Sequence, residues 1–247
     1  QSQPHVAIGT AAKARSYTRM LWCNCTHSTN CGSIDFIIAL LSTCTHVGIM
    51  CFELKTKRFW RTQLPHWEVE AGYYFITIRC ANSLPRAVTE RIKEVQESLA
   101  TIEPSDEACL LLQRRYFQTI EKYADTHQGF CPFRTDRCAR VVMQSFEELS
   151  TVGWHIQHYA IMPNHVHLLL QTELGSADMQ PVLTRWKGAT SHAANHALQR
   201  SGAFWQHDWF DRVIRSEAEL ERIKNYIQQN PVKAGLCQNW QAYSYVR

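Results

Sequence analysis

Residues 154–171 read WHIQHYAIMPNHVHLLLQ. Trp154–Ile161 alternates enough for a strand, Met162-Pro163-Asn164 signals a turn, and His165–Gln171 reads as a second strand of near-continuous apolar residues. Together they predict an antiparallel hairpin. Successive strand side chains point to opposite faces, so His165 and His167 point the same way. Val166 and Leu168 take the other face, to pack on a helix, and the histidines are expected on an open side of the sheet. Two neutral imidazoles on one rigid strand are preorganised for a divalent metal, but the same pair also serves as a hydrogen-bonded surface pair.

Upstream, LPHWEVEAGYYFITIRCANSLP (residues 64–85) combines turn residues with an aromatic, β-branched run, giving a strand over Tyr73–Cys80. From Pro85 to Asp125 the chain is rich in helix formers, and Pro104-Ser105 divides it into two helices. Ala139–Leu149 and Met179–Arg200 have helical spacing. Phe204–Ile214 is extended in character. Ser216 with Glu219 forms a capping-box signature for a helix over Glu217–Asn230, which Pro231 is expected to stop. On that helix Leu220, Ile223 and Ile227 make the buried stripe. Tyr226 and Asn230 lie four residues apart, one above the other at its edge. Read from spacing alone, Tyr226 is better taken as an ordinary packing-edge tyrosine and Asn230 as a helix-ending residue.

Composition sets the outer bounds. At 247 residues, 45% hydrophobic and 19% charged, the chain can build a packed core and is neither fibrous nor wholly disordered. The net charge of +4 is uneven: residues 64–180 carry 10 Lys+Arg against 15 Asp+Glu, and residues 181–247 carry 9 against 5. A basic C-terminal part permits a polyanionic partner without demanding one. Residues 1–63 are read as an N-terminal extension of unassigned role, either disordered or not part of the native protein. They hold Cys23, Cys25 and Cys31, which form no paired zinc motif, and the apolar run Ile34–Leu54, long enough for a membrane span but interrupted by Asp35 and His46. Cys80, Cys109, Cys131, Cys138 and Cys237 read as core thiols, and a reducing cytoplasm is expected. His192 and His196 are spaced i,i+4 without the glutamate of a zinc helix and read as a solvated face.

Over Leu64–Arg247 the sequence resembles the REP-associated tyrosine transposases, relatives of the single-tyrosine insertion-sequence transposases in the HUH endonuclease group. The resemblance rests on LPHW, YYFITIRCANSLP, MPNHVHLLL and FWQHDWFDRVIRSEAELERIKNYIQQNPVKAGL, in order and spacing. It implies an α+β, ferredoxin-like nuclease core with a central antiparallel sheet and flanking helices. It also implies that His165 and His167 bind metal, that Tyr226 is the nucleophile, and that Asn230 is a third ligand. The implied cofactor is Mg²⁺ or Mn²⁺ and the implied partner single-stranded DNA with hairpin structure, cut and rejoined through a 5′-phosphotyrosyl link. No small-molecule cofactor and no stable membrane partner are expected. The protein is expected to act as a monomer in the bacterial cytoplasm, at the nucleoid when bound to DNA.

Arg185, Lys187, Arg212, Arg215 and Lys233 are candidate phosphate contacts, or simply solvated surface. Trp205, Trp209 and Phe210 are candidate base-stacking groups, with core packing the stronger reading for at least two of them. The acidic segment Glu103–Asp125 reads as an insertion. Two rival functions stand beside the nuclease. A DNA-binding regulator that no longer cuts would have lost Tyr226 or a histidine, and a histidine-triad nucleotide hydrolase would carry a further histidine where Leu169 stands.

Overall fold

A computed structural model describes residues 51–103, 107–126 and 129–247. The Cys23/Cys25/Cys31 cluster and most of the Ile34–Leu54 run lie outside the described residues. Order is present before Leu64: Thr56–Arg61 (β1) pairs antiparallel with Pro65–Val69 (β2).

The main sheet comprises Gly72–Arg79 (β3), Trp154–Met162 (β4), His165–Thr172 (β5) and Phe210–Val213 (β6), in the order β4-β5-β3-β6 with every pair antiparallel. Two strand–helix–strand crossovers interleaved in this order make the ferredoxin-like arrangement, α+β as expected. The helices are Arg86–Ala100 (α1), Glu107–Ala124 (α2), Asp136–Ser150 (α3), Met179–Ala197 (α4) and Glu217–Lys233 (α5). The predicted β4–β5 hairpin is present, with Met162 opposite His165 across the turn.

Alternation along the strands divides the interior into two. Tyr74, Ile76 and Ile78 of β3 and Val166, Leu168 and Leu170 of β5 form the larger core with Val142 and Phe146 of α3 and Leu183 and Trp186 of α4. Phe75 and Leu169 take the opposite face and pack with Ile227 of α5. The α1–α2 hairpin has its own small core of Val88, Ile92, Leu99, Tyr116 and Ile120. Backbone bonds from Ile161 and Tyr159 to the carbonyls of Tyr245 and Arg247 cover the outer edge of β4 with the C-terminal tail.

LPHW is explained by what it grips. The Leu64 amide donates to Asp208 Oδ2 at 2.7 Å, and the His66 ring is bonded to Asp211 and lies 3.2 Å from Asp208 Oδ1. His66 also stacks on Trp60 and Trp209, each at 4.8 Å. This buried cluster ties the β1–β2 ribbon to β6.

The tyrosine helix starts as read: Ser216 Oγ accepts from the Glu219 amide, while Glu219 Oε2 accepts from the Arg215 amide at 3.0 Å. Its end differs. Pro231 does not stop α5, which continues through Lys233. A proline in the last turn removes one amide donor, and the turn is closed around it by Ala234 N to Asn230 O and Leu236 N to Pro231 O, both 2.9 Å. Gly235, at φ +70°, then turns the chain away.

Candidate active site

His165 and His167 do share one face of β5, but that face is not open. Both are fully buried, because α2 and α5 cover it. Their Nε2 atoms converge at 3.0 Å. The orientation is set from the other side of each ring. His165 Nδ1 donates to Asn164 Oδ1 at 2.7 Å, and the Asn164 amide nitrogen donates to the Ala124 carbonyl at the end of α2. His167 Nδ1 is 2.8 Å from Oγ1 of Thr77, its register partner on β3. With Nδ1 carrying the proton, each Nε2 presents a lone pair to the same point.

The sequence reading did not single out the group that meets them. Glu121 of α2 is buried, and its Oε2 lies 3.3 Å from His167 Nε2 and accepts the hydroxyl hydrogen bond of Tyr226. Burial opposes ionisation of this carboxyl, but its surroundings, His167 first and then His165 and the Tyr226 hydroxyl, hold it down to about 2. The signal was present in the sequence: Phe117 and Glu121 are four apart on a helix whose Tyr116, Ile120 and Ala124 are buried, so Glu121 lies on that helix's inner edge.

Tyr226 is half-buried, edge-on to Phe75 at 5.7 Å and to His167 at 5.4 Å. Burial and then the Glu121 charge push its phenol well above the usual tyrosine range. Asn230 is buried one turn further on α5. Its amide lies near enough to ease ionisation of the phenol, yet neither amide atom has a partner with hydrogen-bond geometry.

These residues fit a divalent cation. Glu121, His165 and His167 each offer a ligand atom, all within 4.8 Å of one another. Glu121 Oε1 and both amide atoms of Asn230 are buried without partners, which is costly unless something else binds there. Two imidazoles with a carboxylate and an amide oxygen suit Mg²⁺, Mn²⁺ or a borderline transition metal. Among the described residues this is the one cluster with metal-holding geometry, and the exposed His192 and His196 form no such group.

The five candidate DNA contacts divide. Arg212 and Lys233 border a cleft beside Tyr226. Arg185 is exposed on α4, and Arg215 lies over the Trp67 ring. Lys187 is turned inward over Trp209, donating to the His207 carbonyl, and burial lowers its ammonium to about 8. Trp205 and Trp209 are buried in the larger core, whereas Phe210 borders the cleft.

The sheet carries paired histidines faced by a tyrosine on the covering helix, and residues 133–230 match the family described as "Transposase IS200 like". That span holds His165, His167, Tyr226 and Asn230. A curated Haemophilus influenzae protein named "Putative REP-associated tyrosine transposase" is similar, 28% identical over 99 residues. The aligned part covers 35% of this chain and spans about half, 56%, of that relative. Among solved structures, a REP-associated tyrosine transposase bound to a REP hairpin aligns at 15% identity, covering 71% of this chain and 75% of that one, with a TM-score of 0.40. A Deinococcus radiodurans protein described as "a putative transposase" aligns at 15% identity over 65% of this chain and 91% of that one, with a TM-score of 0.27.

Proposed function

We propose that this chain is a DNA transposase that cleaves and rejoins single-stranded DNA through a covalent link to Tyr226. The observation that carries this reading is the convergence of the Tyr226 hydroxyl, Glu121 and the two histidine Nε2 atoms in one buried corner. His165, His167 and Glu121, with Asn230 beside them, would hold Mg²⁺ or Mn²⁺, which supplies Lewis-acid charge to a phosphate oxygen.

The protein's own groups account for the rest. The phenol is protonated at rest, and Glu121, which already accepts its hydrogen bond, is placed to receive the proton as the oxygen attacks. The tyrosine oxygen–phosphorus bond forms and the phosphorus–O3′ bond breaks. One strand leaves with a free 3′-hydroxyl, and the other stays attached by its 5′ phosphate. Because one phosphodiester replaces another, attack by a 3′-hydroxyl can reverse the step without ATP. Phe75 and Phe117 flank the tyrosine and limit water at the reacting oxygen.

Hairpin DNA of the REP type is the proposed substrate, on the family resemblance and the name of the curated relative. Among the described residues no helix is long and apolar enough to cross a membrane. We place the activity at the bacterial nucleoid, carried out by a monomer. Incubating the protein with labelled hairpin DNA and Mn²⁺ should yield a strand ending in a 3′-hydroxyl, and Tyr226→Phe should yield none. Cleavage that survives Tyr226→Phe, or loss of both histidines, overturns the reading.

A further inference from the structure

The α1–α2 hairpin lies outside the residues matched by the transposase family, yet α2 forms one wall of the site. Arg114, Phe117, Gln118, Glu121 and Lys122 are spaced i, i+3, i+4, i+7, i+8, one stripe of a helix, and all border a cleft of about 550 Å³ that opens beside Tyr226. The opposite stripe, Tyr116, Ile120 and Ala124, is packed in the hairpin's own core. The helix is therefore held by one side and offers the other to the cleft.

Besides the carboxylates of Glu121 and Asp125, the lining offers aromatic rings and cations. Phe117 and Phe210 are stacked at 4.6 Å and only half-buried, giving an aromatic surface next to the nucleophile. Around it stand Arg114, Lys122, Arg212 and Lys233. Arg212 is engaged by Glu219, and Lys233 by Asp125 at 3.2 Å. Arg114 and Lys122 are exposed and, among the described residues, have no ion pair. Aromatic surface plus uncommitted cations is what a splayed single strand requires, the base on the ring and the phosphate on the cation. The volume falls within the range that encloses a small ligand, enough for an unstacked nucleotide and too little for a duplex.

We propose that this cleft is a nucleotide subsite, in which the Phe117–Phe210 pair receives one unstacked base next to the phosphate that Tyr226 attacks, and Arg114 and Lys122 hold the adjoining phosphate. The proposal rests on the single-strand cleavage reading and adds to it a contact that the α1–α2 hairpin supplies.

The test uses the full chain carrying Tyr226→Phe and, as probe, an oligothymidylate containing photoreactive bromodeoxyuridine. Mass spectrometry should place the cross-link on Phe117, Phe210 or the α2 residues between Arg114 and Lys122. By fluorescence anisotropy, Phe117→Ala should weaken binding about tenfold. Arg114→Ala with Lys122→Ala, both exposed and so harmless to folding, should weaken binding and reduce the salt slope by about 0.7, the value for one phosphate of a single strand. Cross-links confined to other surfaces, or a double variant whose affinity and salt slope match the parent, overturn the subsite. If the unaltered chain forms a covalent adduct with hairpin DNA while cross-links fall elsewhere, only the subsite falls. If cross-links map to the cleft but no adduct forms, only the cleavage reading falls.

Discussion

Replacing His66 by alanine should remove a pH-dependent part of the stability of the fold. The ring is 1% exposed, held between Asp208 and Asp211 and stacked on two tryptophans. Burial alone would lower its pKa, but the two carboxylates overcome this and raise it from 6.5 to about 9. At about 1.36 kcal/mol per pH unit, that rise corresponds to about 3 kcal/mol of stabilisation. The folded pKa lies above the unfolded one, so the contribution is complete below pH 6.5 and is lost as pH rises through 9. Urea melts of the parent and His66→Ala chains, with metal chelated, give the difference in unfolding free energy at each pH. That difference should be largest near pH 6 and fall by about 3 kcal/mol by pH 10. A difference that stays constant from pH 6 to pH 10 refutes the charged His66–Asp208–Asp211 cluster.

Other consequences are equally direct. Glu121→Gln should weaken Mn²⁺ binding, followed by the electron paramagnetic resonance of free Mn²⁺, by about 10- to 100-fold, and unchanged affinity removes Glu121 from the metal site. Gly129→Ala should cost roughly 1–3 kcal/mol in urea melts, since φ is +75° and a Cβ would meet the Asn82 carbonyl oxygen at 2.5 Å. A stability within error of the parent contradicts that backbone geometry. Ser216→Ala should cost about 1 kcal/mol through loss of the α5 cap, and a melt unchanged by the substitution means that the cap adds nothing.

The parts of the fold that were legible in the sequence are those encoded locally. A turn between two strands fixed the β4–β5 hairpin, period-two alternation put His165 and His167 on one face, and Ser216 with Glu219 marked the start of α5. What local pattern leaves open is what covers a face. The histidines were expected on an open side because nothing near them in sequence shows that α2, some forty residues earlier, folds over them. Glu121 was passed over for the same reason, since its partners His167 and Tyr226 are 46 and 105 positions away. LPHW was quoted as part of the family pattern, but its bonds to Asp208 and Asp211 span about 145 residues. Pro231 misled in a different way. The local preference to leave the helix before proline is overridden where the turn closes on Ala234 and Leu236 and the ring is buried.

The proposed cleavage depends on a covalent bond between Tyr226 and DNA. The most direct measurement is peptide mass spectrometry after incubating the full chain with single-stranded hairpin DNA and Mn²⁺, followed by nuclease digestion. The expected result is a nucleotide mass on the peptide containing Tyr226, attached through a 5′ phosphate and absent from His165→Ala. Cleaved DNA with no modified Tyr226, or a nucleotide on another residue, contradicts it.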